Sequence, residues 1–161
     1  SKNEFPGIRV EDVNIDAMMM WLTKNPENYN VIVAGNMFGD IVSDAFAGLI
    51  GGLGFATSAQ FNPESGVAVF EPTHGSAPKY AGYETSIVNP IAMILSAVMM
   101  LEHLNENEIA GRIRKAVIDV VAEGNTRAYD MLKLRGTPDV VNQGAASTRR
   151  MADAIIAKLK A

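Results

Sequence analysis

The sequence predicts an α/β fold, part of a layered assembly in which helices cover a sheet. Segments with helical periodicity alternate with short β-branched runs, such as residues 31–33 and 67–70. The 161 residues are 48% hydrophobic with a formal net charge of −4, which is the composition of an ordinary domain with a core. The glycines of residues 51–54 do not fit the GxGxxG spacing, so this fold lacks a Rossmann fingerprint.

Composition also excludes several classes of protein. The longest apolar stretch begins at Ile91 and is closed by Glu102 and His103, short of the roughly 18 residues of a membrane helix. The chain has no cysteine, which excludes disulfides, thiolate zinc sites and a cysteine nucleophile. Its mild acidity argues against a broad nucleic-acid surface, and its first residues do not resemble a secretory signal. We therefore expect a cytoplasmic protein that binds neither nucleic acid nor membrane.

The first third of the chain predicts two strands and two helices. Residues 7–16 alternate in polarity like a strand and lead into a methionine-rich helix, residues 16–25, which Pro26 ends. Residues 31–36, "VIVAGN", are typical of a buried strand. Residues 39–50 have a wide apolar helical face, and a cluster of glycines then ends the helix.

The remainder predicts one strand and three helices. A short strand at residues 67–70 leads into a polar loop, residues 71–82. Asn89 and Pro90 are a cap and a first-turn proline for a helix that runs to about residue 104 and is apolar enough to be buried. Two further helices follow, residues 107–124, stopped by Gly124, and residues 147–160. About three or four strands are few for an independent sheet.

Two aspartates give the first chemical feature. Asp40 and Asp44 lie one turn apart on the same helix face, where their mutual repulsion costs roughly 0.2–0.5 kcal/mol. A bound divalent cation would reverse that cost, and Asp16, at a predicted strand-to-helix junction, offers a third carboxylate. Such a set suits Mg²⁺ or Mn²⁺. The alternative is that Asp40 complements the helix N-terminus and Asp44 is a solvated acid.

The polar loop "EPTHGSAPKYAG", residues 71–82, gives the second feature. His74 could stack on a purine, and the backbone at Gly75 could approach a phosphate closely. Lys79 and Tyr80 together offer a cation and a phenol to an anion. Each of these residues could instead be structural or solvated.

The stretches "GNMFGDIVSDAFAGLIGGLGF", "EPTHGSAPKYAG" and "VNPIAMILSAVMMLEHL", in this order, resemble the C-terminal half of the metal-dependent β-decarboxylating dehydrogenases. This is the isocitrate and isopropylmalate dehydrogenase family, and the motifs are most similar to those of its NADP-dependent isocitrate dehydrogenases. The resemblance runs over essentially the whole chain. It implies that residues 1–50 end a small, dimer-forming domain and that residues 51–161 are the C-terminal part of a large nucleotide-binding domain.

The resemblance also assigns roles to particular residues. Asp40 and Asp44 match the family's metal-binding aspartates, and Asp16 matches the third, which reaches into the site of a partner subunit. The positions that match cofactor contacts are Glu71 and Thr73 near the nicotinamide and its ribose, His74 and Asn89 near the adenosine, and Lys79, Tyr80, Tyr129 and Lys133 near a 2′-phosphate. Gly75 and Val88 are also expected to bind the cofactor. Lys133 replaces the usual arginine, which keeps the charge and forfeits bidentate geometry.

The charge of the loop implies NADP rather than NAD, because NAD-using relatives tend to place an aspartate and an aliphatic residue where this chain has Lys79 and Tyr80. The implied activity is the oxidative decarboxylation of isocitrate to 2-oxoglutarate by a homodimer with NADP and Mg²⁺ or Mn²⁺. The substrate-binding arginines and the proton-transfer residues are expected upstream, in an N-terminal half of the same enzyme. No catalytic residue is therefore assigned here, and this chain alone is expected to be incomplete and inactive.

Two alternatives stay open at this point. One is an isopropylmalate dehydrogenase, or a related 2-hydroxy-acid dehydrogenase, that uses NAD. The other is a non-catalytic chain that binds a nucleotide or only dimerises.

Overall fold

The computed structural model describes residues 4–160, and the chain divides into two units between Leu49 and Ile50. Each unit has its own buried cluster of apolar side chains. The assignment of these units to the small and large domains of an enzyme stays a prediction.

The first unit is a helix pair. Helix α1 spans Ile15–Lys24 and helix α2 spans Asn36–Leu49, in agreement with the two helices that periodicity predicts. Met18 and Leu22 of α1 are buried against Val42 of α2. Residues three or four apart in sequence lie on the same face of a helix, so each helix contributes one apolar stripe to the contact.

The strands predicted at residues 7–16 and 31–36 are absent. Residues 7–14 and 31–35 have no ladder partner, and α1 begins at Ile15. Val31 and Val33 are 83% and 92% exposed, the opposite of a buried strand. A β-branched run becomes a strand only when a neighbour satisfies its N–H and C=O groups, and no part of residues 4–49 provides one.

The second unit begins with a hairpin. Strand β1, Thr57–Phe61, pairs antiparallel with β2, Ala68–Pro72, so that Thr57 lies opposite Pro72 and Phe61 opposite Ala68. Sequence patterning predicts β2 but not β1. The described residues therefore contain a two-stranded sheet, one or two strands fewer than predicted.

Three helices complete this unit: α3, Ile91–His103; α4, Asn107–Glu123; and α5, Thr148–Lys160. Their shared core consists of Ile91, Ala116, Val117, Val120, Ala128, Met151 and Ile155. The predicted cap of α3 is confirmed, because the side-chain oxygen of Asn89 accepts a 3.0 Å hydrogen bond from the N–H of Ile91. Gly124 ends α4 as predicted, in the left-handed conformation with φ +64°.

Helix α3 is buried on one face only. Ile91, Ala92, Ser96 and Val98 are buried, whereas Met93 is 58% exposed. The expected burial of this helix therefore holds for one face only, since residues 50–160 cover one side of it. No helix in residues 4–160 is long and apolar enough to cross a membrane.

Candidate functional site

Asp40 and Asp44 lie on the outer surface of α2. Both are exposed, one turn apart, and neither takes part in the ion pairs found among residues 4–160. The Oγ of Ser43 donates a 3.0 Å hydrogen bond to the backbone carbonyl oxygen of Asp40, and this bond does not involve the Asp40 carboxylate. Both carboxylates are therefore available to an outside ligand.

The structure does not gather Asp16 into one cluster with Asp40 and Asp44. Asp16 lies in the first turn of α1, and one carboxylate oxygen accepts a 2.8 Å bond from the N–H of Ala17. Within residues 4–160, no three Asp, Glu or His side chains come close enough to hold a metal ion. Asp40 and Asp44 thus fit a hard cation that obtains its other oxygen ligands from water, substrate or another chain.

The loop after β2 is anchored at its start and contains a tight turn. The N–H of Thr73 donates to Ala56 O at 3.1 Å, which fixes the start of the loop on the adjacent segment. Ala77 is left-handed, with φ +44°, and this turn leads into a short 3₁₀ helix at Pro78–Tyr80. The turn exposes Lys79 and leaves Tyr80 half-buried.

Tyr80 contacts two of the other residues that are predicted to bind a 2′-phosphate. The Nζ of Lys79 lies 4.7 Å from the centroid of the Tyr80 ring. The hydroxyl of Tyr129 donates to the hydroxyl of Tyr80 at 3.3 Å, although 49 residues separate them. The structure therefore brings Lys79, Tyr80 and Tyr129 together.

The two hydroxyls differ in acidity. The hydrogen bond from Tyr129 lowers the pKa of Tyr80, helped by Lys79, although partial burial opposes this shift. Burial, together with that bond, raises the pKa of Tyr129. The Tyr129 hydroxyl is the donor in their hydrogen bond, which leaves the O–H of Tyr80 to donate to a further acceptor such as a phosphate oxygen.

Lys133 belongs to the turn that carries Tyr129. Its φ of +56° is left-handed, and the N–H of Leu134 donates to Tyr129 O at 2.9 Å to close the turn. Lys133 is exposed, so its ammonium adds positive charge to the segment that follows Tyr129.

His74, Gly75 and Glu71 lie at the start of the loop. The Nδ1 of His74 is 2.9 Å from Gly75 O, and because a carbonyl oxygen only accepts, Nδ1 is the donor in this bond. A side chain at Gly75 would meet nothing within 4 Å, so its backbone is open to a ligand. Glu71 accepts a 2.8 Å bond from Gln60 Nε2 across the hairpin.

Asn89 and Val88 have structural partners in addition to any predicted role. The Asn89 side chain is 3% exposed, and its amide group donates to Asp130 Oδ2 at 3.1 Å while its oxygen caps α3. The carbonyl of Val88 accepts a 2.5 Å bond from Thr148 Oγ1. Both polar atoms of the Asn89 side chain therefore already have partners within the chain.

Two residues of this region are not predicted from the sequence pattern. Asp130 accepts a hydrogen bond from the Asn89 amide. In the sequence, only its position next to Tyr129 indicates that it belongs to this region. Gly54 lies against this pair, since a Cβ there would overlap the Asp130 carboxylate and lie 2.9 Å from Asn89 Nδ2. The sequence reveals Gly54 only as a helix breaker.

Comparison with known proteins identifies the class. Residues 1–155 match the family model described as isocitrate/isopropylmalate dehydrogenase. The chain is 45% identical over 157 residues to the isocitrate/homoisocitrate dehydrogenase of Thermus thermophilus, covering 98% of this chain and 42% of that relative. It is 43% identical over 157 residues to the 3-isopropylmalate/3-methylmalate dehydrogenase of Methanocaldococcus jannaschii, with the same two coverages, 98% and 42%.

A solved structure agrees with these relatives. The crystal structure of isocitrate dehydrogenase from Methylococcus capsulatus superposes with a TM-score of 0.85 at 38% identity, covering 99% of this chain and 43% of that one. The chain therefore belongs to the isocitrate/isopropylmalate dehydrogenase family of oxidoreductases, which use a nicotinamide cofactor and a divalent metal. It spans less than half the length of the curated relatives described here.

Proposed function

We propose that this chain is the C-terminal part of an enzyme that oxidatively decarboxylates isocitrate to 2-oxoglutarate with NADP and Mg²⁺ or Mn²⁺. The observation that carries the proposal is the group of Lys79, Tyr80 and Tyr129. This group offers a positive charge and a phenol hydroxyl that can bind an anion. A 2′-phosphate is the feature that distinguishes NADP from NAD, and both charge and hydrogen-bond direction in this group suit it.

The metal is assigned to Asp40 and Asp44, with Asp16 of the partner subunit completing the set. When bound, a divalent cation supplies Lewis acidity for the substrate carbonyl and for the enolate left by loss of CO₂. The free, exposed carboxylates of α2 support this assignment, as does the separation of Asp16 from them within one chain.

NADP held by the loop at residues 71–82 and the turn at residues 129–134 would supply the acceptor for a hydride from C2–H of the substrate, and the C2 alcohol would become a ketone as its hydroxyl loses a proton. Cleavage of the bond between C3 and its carboxylate then releases CO₂, and the resulting enolate is protonated at C3. The contribution of this chain is to hold the cofactor through the loop at residues 71–82 and the turn at residues 129–134. The residues that move protons belong to the upstream half of the enzyme.

An isopropylmalate dehydrogenase that uses NAD is the second candidate. The observation that favours it is the similar identity to the isocitrate and isopropylmalate relatives, 45% and 43%, so overall similarity does not choose the substrate. The cytoplasmic location and the homodimer likewise stay predictions.

Steady-state kinetics of the full-length enzyme that carries this chain tests the proposal. Isocitrate and 3-isopropylmalate are each assayed with NADP and with NAD, in Mn²⁺ or Mg²⁺ and again in excess chelator. We expect the highest kcat/KM for isocitrate with NADP, and loss of activity on chelation. A highest value for 3-isopropylmalate with NAD would favour the second candidate, and absence of turnover with all four pairs would favour a non-catalytic role.

A further inference from the structure

Gly136 lies directly against the ring of Tyr80. A Cβ placed on Gly136 would be 2.5 Å from the Tyr80 hydroxyl oxygen and 2.8 Å from both Cε1 and Cζ of the ring. These separations are far below van der Waals contact, so an alanine at this position requires the ring or the backbone to move. Gly136 has no positive φ, and its need for glycine therefore arises from this contact alone.

The same segment is tied to a second aromatic ring. The hydroxyl of Tyr83 donates to Gly136 O at 3.3 Å, and the rings of Tyr83 and Tyr80 meet edge to face at 5.6 Å. The ring of Tyr129 is 6.0 Å from that of Tyr80. Tyr80 is thus bounded by Tyr83, Tyr129 and the backbone at Gly136.

We propose that Gly136 is a specificity-determining residue, because the absence of a side chain there sets the position of the Tyr80 hydroxyl and of Lys79 against a 2′-phosphate. The inference rests on the proposed use of NADP and deepens it. A methyl group at position 136 displaces the Tyr80 ring from the Tyr129 hydroxyl, and Lys79, whose Nζ lies over that ring, loses its support. The contacts that favour NADP over NAD are then lost together.

Gly136 acts through Tyr80 and is a positioning residue rather than a direct ligand. Its effect therefore differs from that of a general loss of stability in two ways. It weakens the binding of NADP and not of NAD, and it disappears once the Tyr80 ring is removed. Both properties are measurable.

Isothermal titration of the full-length protein with NADP and with NAD tests the proposal. For Gly136→Ala we expect an affinity for NADP about tenfold lower, the factor that corresponds to one lost hydrogen bond to a charged group, and an unchanged affinity for NAD. The control is Gly111→Ala in α4, at an exposed glycine outside the proposed cofactor site where a Cβ also meets nothing within 4 Å, and it should match wild type for both nucleotides. In a Tyr80→Ala background, Gly136→Ala should have no further effect, because the methyl group then has no ring to displace.

Tyr83→Phe is the second variant, should Gly136→Ala fail to fold. It removes the bond to Gly136 O without adding volume, and we expect a smaller loss of affinity that is again confined to NADP. The Gly136 proposal is overturned if wild type prefers NADP and both variants keep that preference, or if Gly136→Ala has the same effect without the Tyr80 ring. A wild-type protein that prefers NAD would instead overturn the proposed function along with it.

Discussion

At the scale of single residues, the site depends on contacts between positions far apart in sequence. The spacing of Asp40 and Asp44 is local, so a helical pattern alone places them on one face. The contact of Tyr80 with Tyr129 joins two loops, and no periodicity encodes it. The resemblance to a family supplied both residues, whereas Asp130 and Gly136 became visible only in three dimensions.

The preference for NADP is tested by Lys79→Asp combined with Tyr80→Ile in the full-length enzyme. The double substitution removes a cation and a donor and adds a charge that repels the 2′-phosphate. We expect the ratio of kcat/KM for NADP to that for NAD to fall by about tenfold to a hundredfold. Lys115→Asp on α4 makes the same change in net charge elsewhere and should leave the ratio unchanged. An unaltered ratio in the double variant would remove the basis for choosing NADP.

The metal assignment is tested by Asp40→Asn in the full-length enzyme. The amide keeps the shape of the side chain and removes the charge, so we expect the Mn²⁺ concentration needed for half-maximal activity to rise at least about tenfold. Asp153→Asn serves as the control, because Asp153 is an exposed acid that pairs with Arg149 on α5. If the two variants have the same dependence on Mn²⁺, Asp40 is not a ligand.

At the scale of elements, helices were predictable and strands were not. A helix satisfies its backbone within itself, so capping residues and apolar spacing are enough to place α1 to α5 to within a few residues. A strand needs a partner, and the β-branched run at residues 31–33 has none within the described chain. Strand β1 was missed because its residues, "TSAQF", lack an apolar alternation.

Gly111 within α4 and Gly124 directly after it provide a matched test of helix termination. Gly124 is left-handed, so Gly124→Ala should lower the free energy of unfolding by about 1 kcal/mol. Gly111 lies within the same helix, exposed and with open space around its Cβ position, so Gly111→Ala should raise it by about 0.5–1 kcal/mol. Urea unfolding followed by circular dichroism measures both, and a shift of the same sign in the two variants would contradict the role of Gly124 as a cap.

At the scale of the whole molecule, each unit leaves apolar side chains uncovered. On α1, Met18 and Leu22 are buried in their own unit, and Met19 is partly buried against the same cluster. Trp21 is 38% exposed. On α2, Met37 and Ile41 are 65% and 47% exposed and lie one turn apart. The apolar surface available to a partner is therefore larger on α2 than on α1.

We expect this exposed face of α2 to pair with a second copy of the chain, because two identical apolar patches related by a two-fold axis cover each other. Ile41→Glu would place two charges in that contact, and the full-length protein should then sediment with a lower mass than wild type at the same micromolar concentration. The measurement is made without divalent cation, so that the neighbouring Asp40 and Asp44 do not contribute. Ile118→Glu, at an isoleucine of α4 that is 57% exposed, should sediment like wild type. If wild type is a monomer, or if Ile41→Glu keeps the wild-type mass, α2 is not the interface, and Asp16 of a partner subunit could not reach the metal by this route.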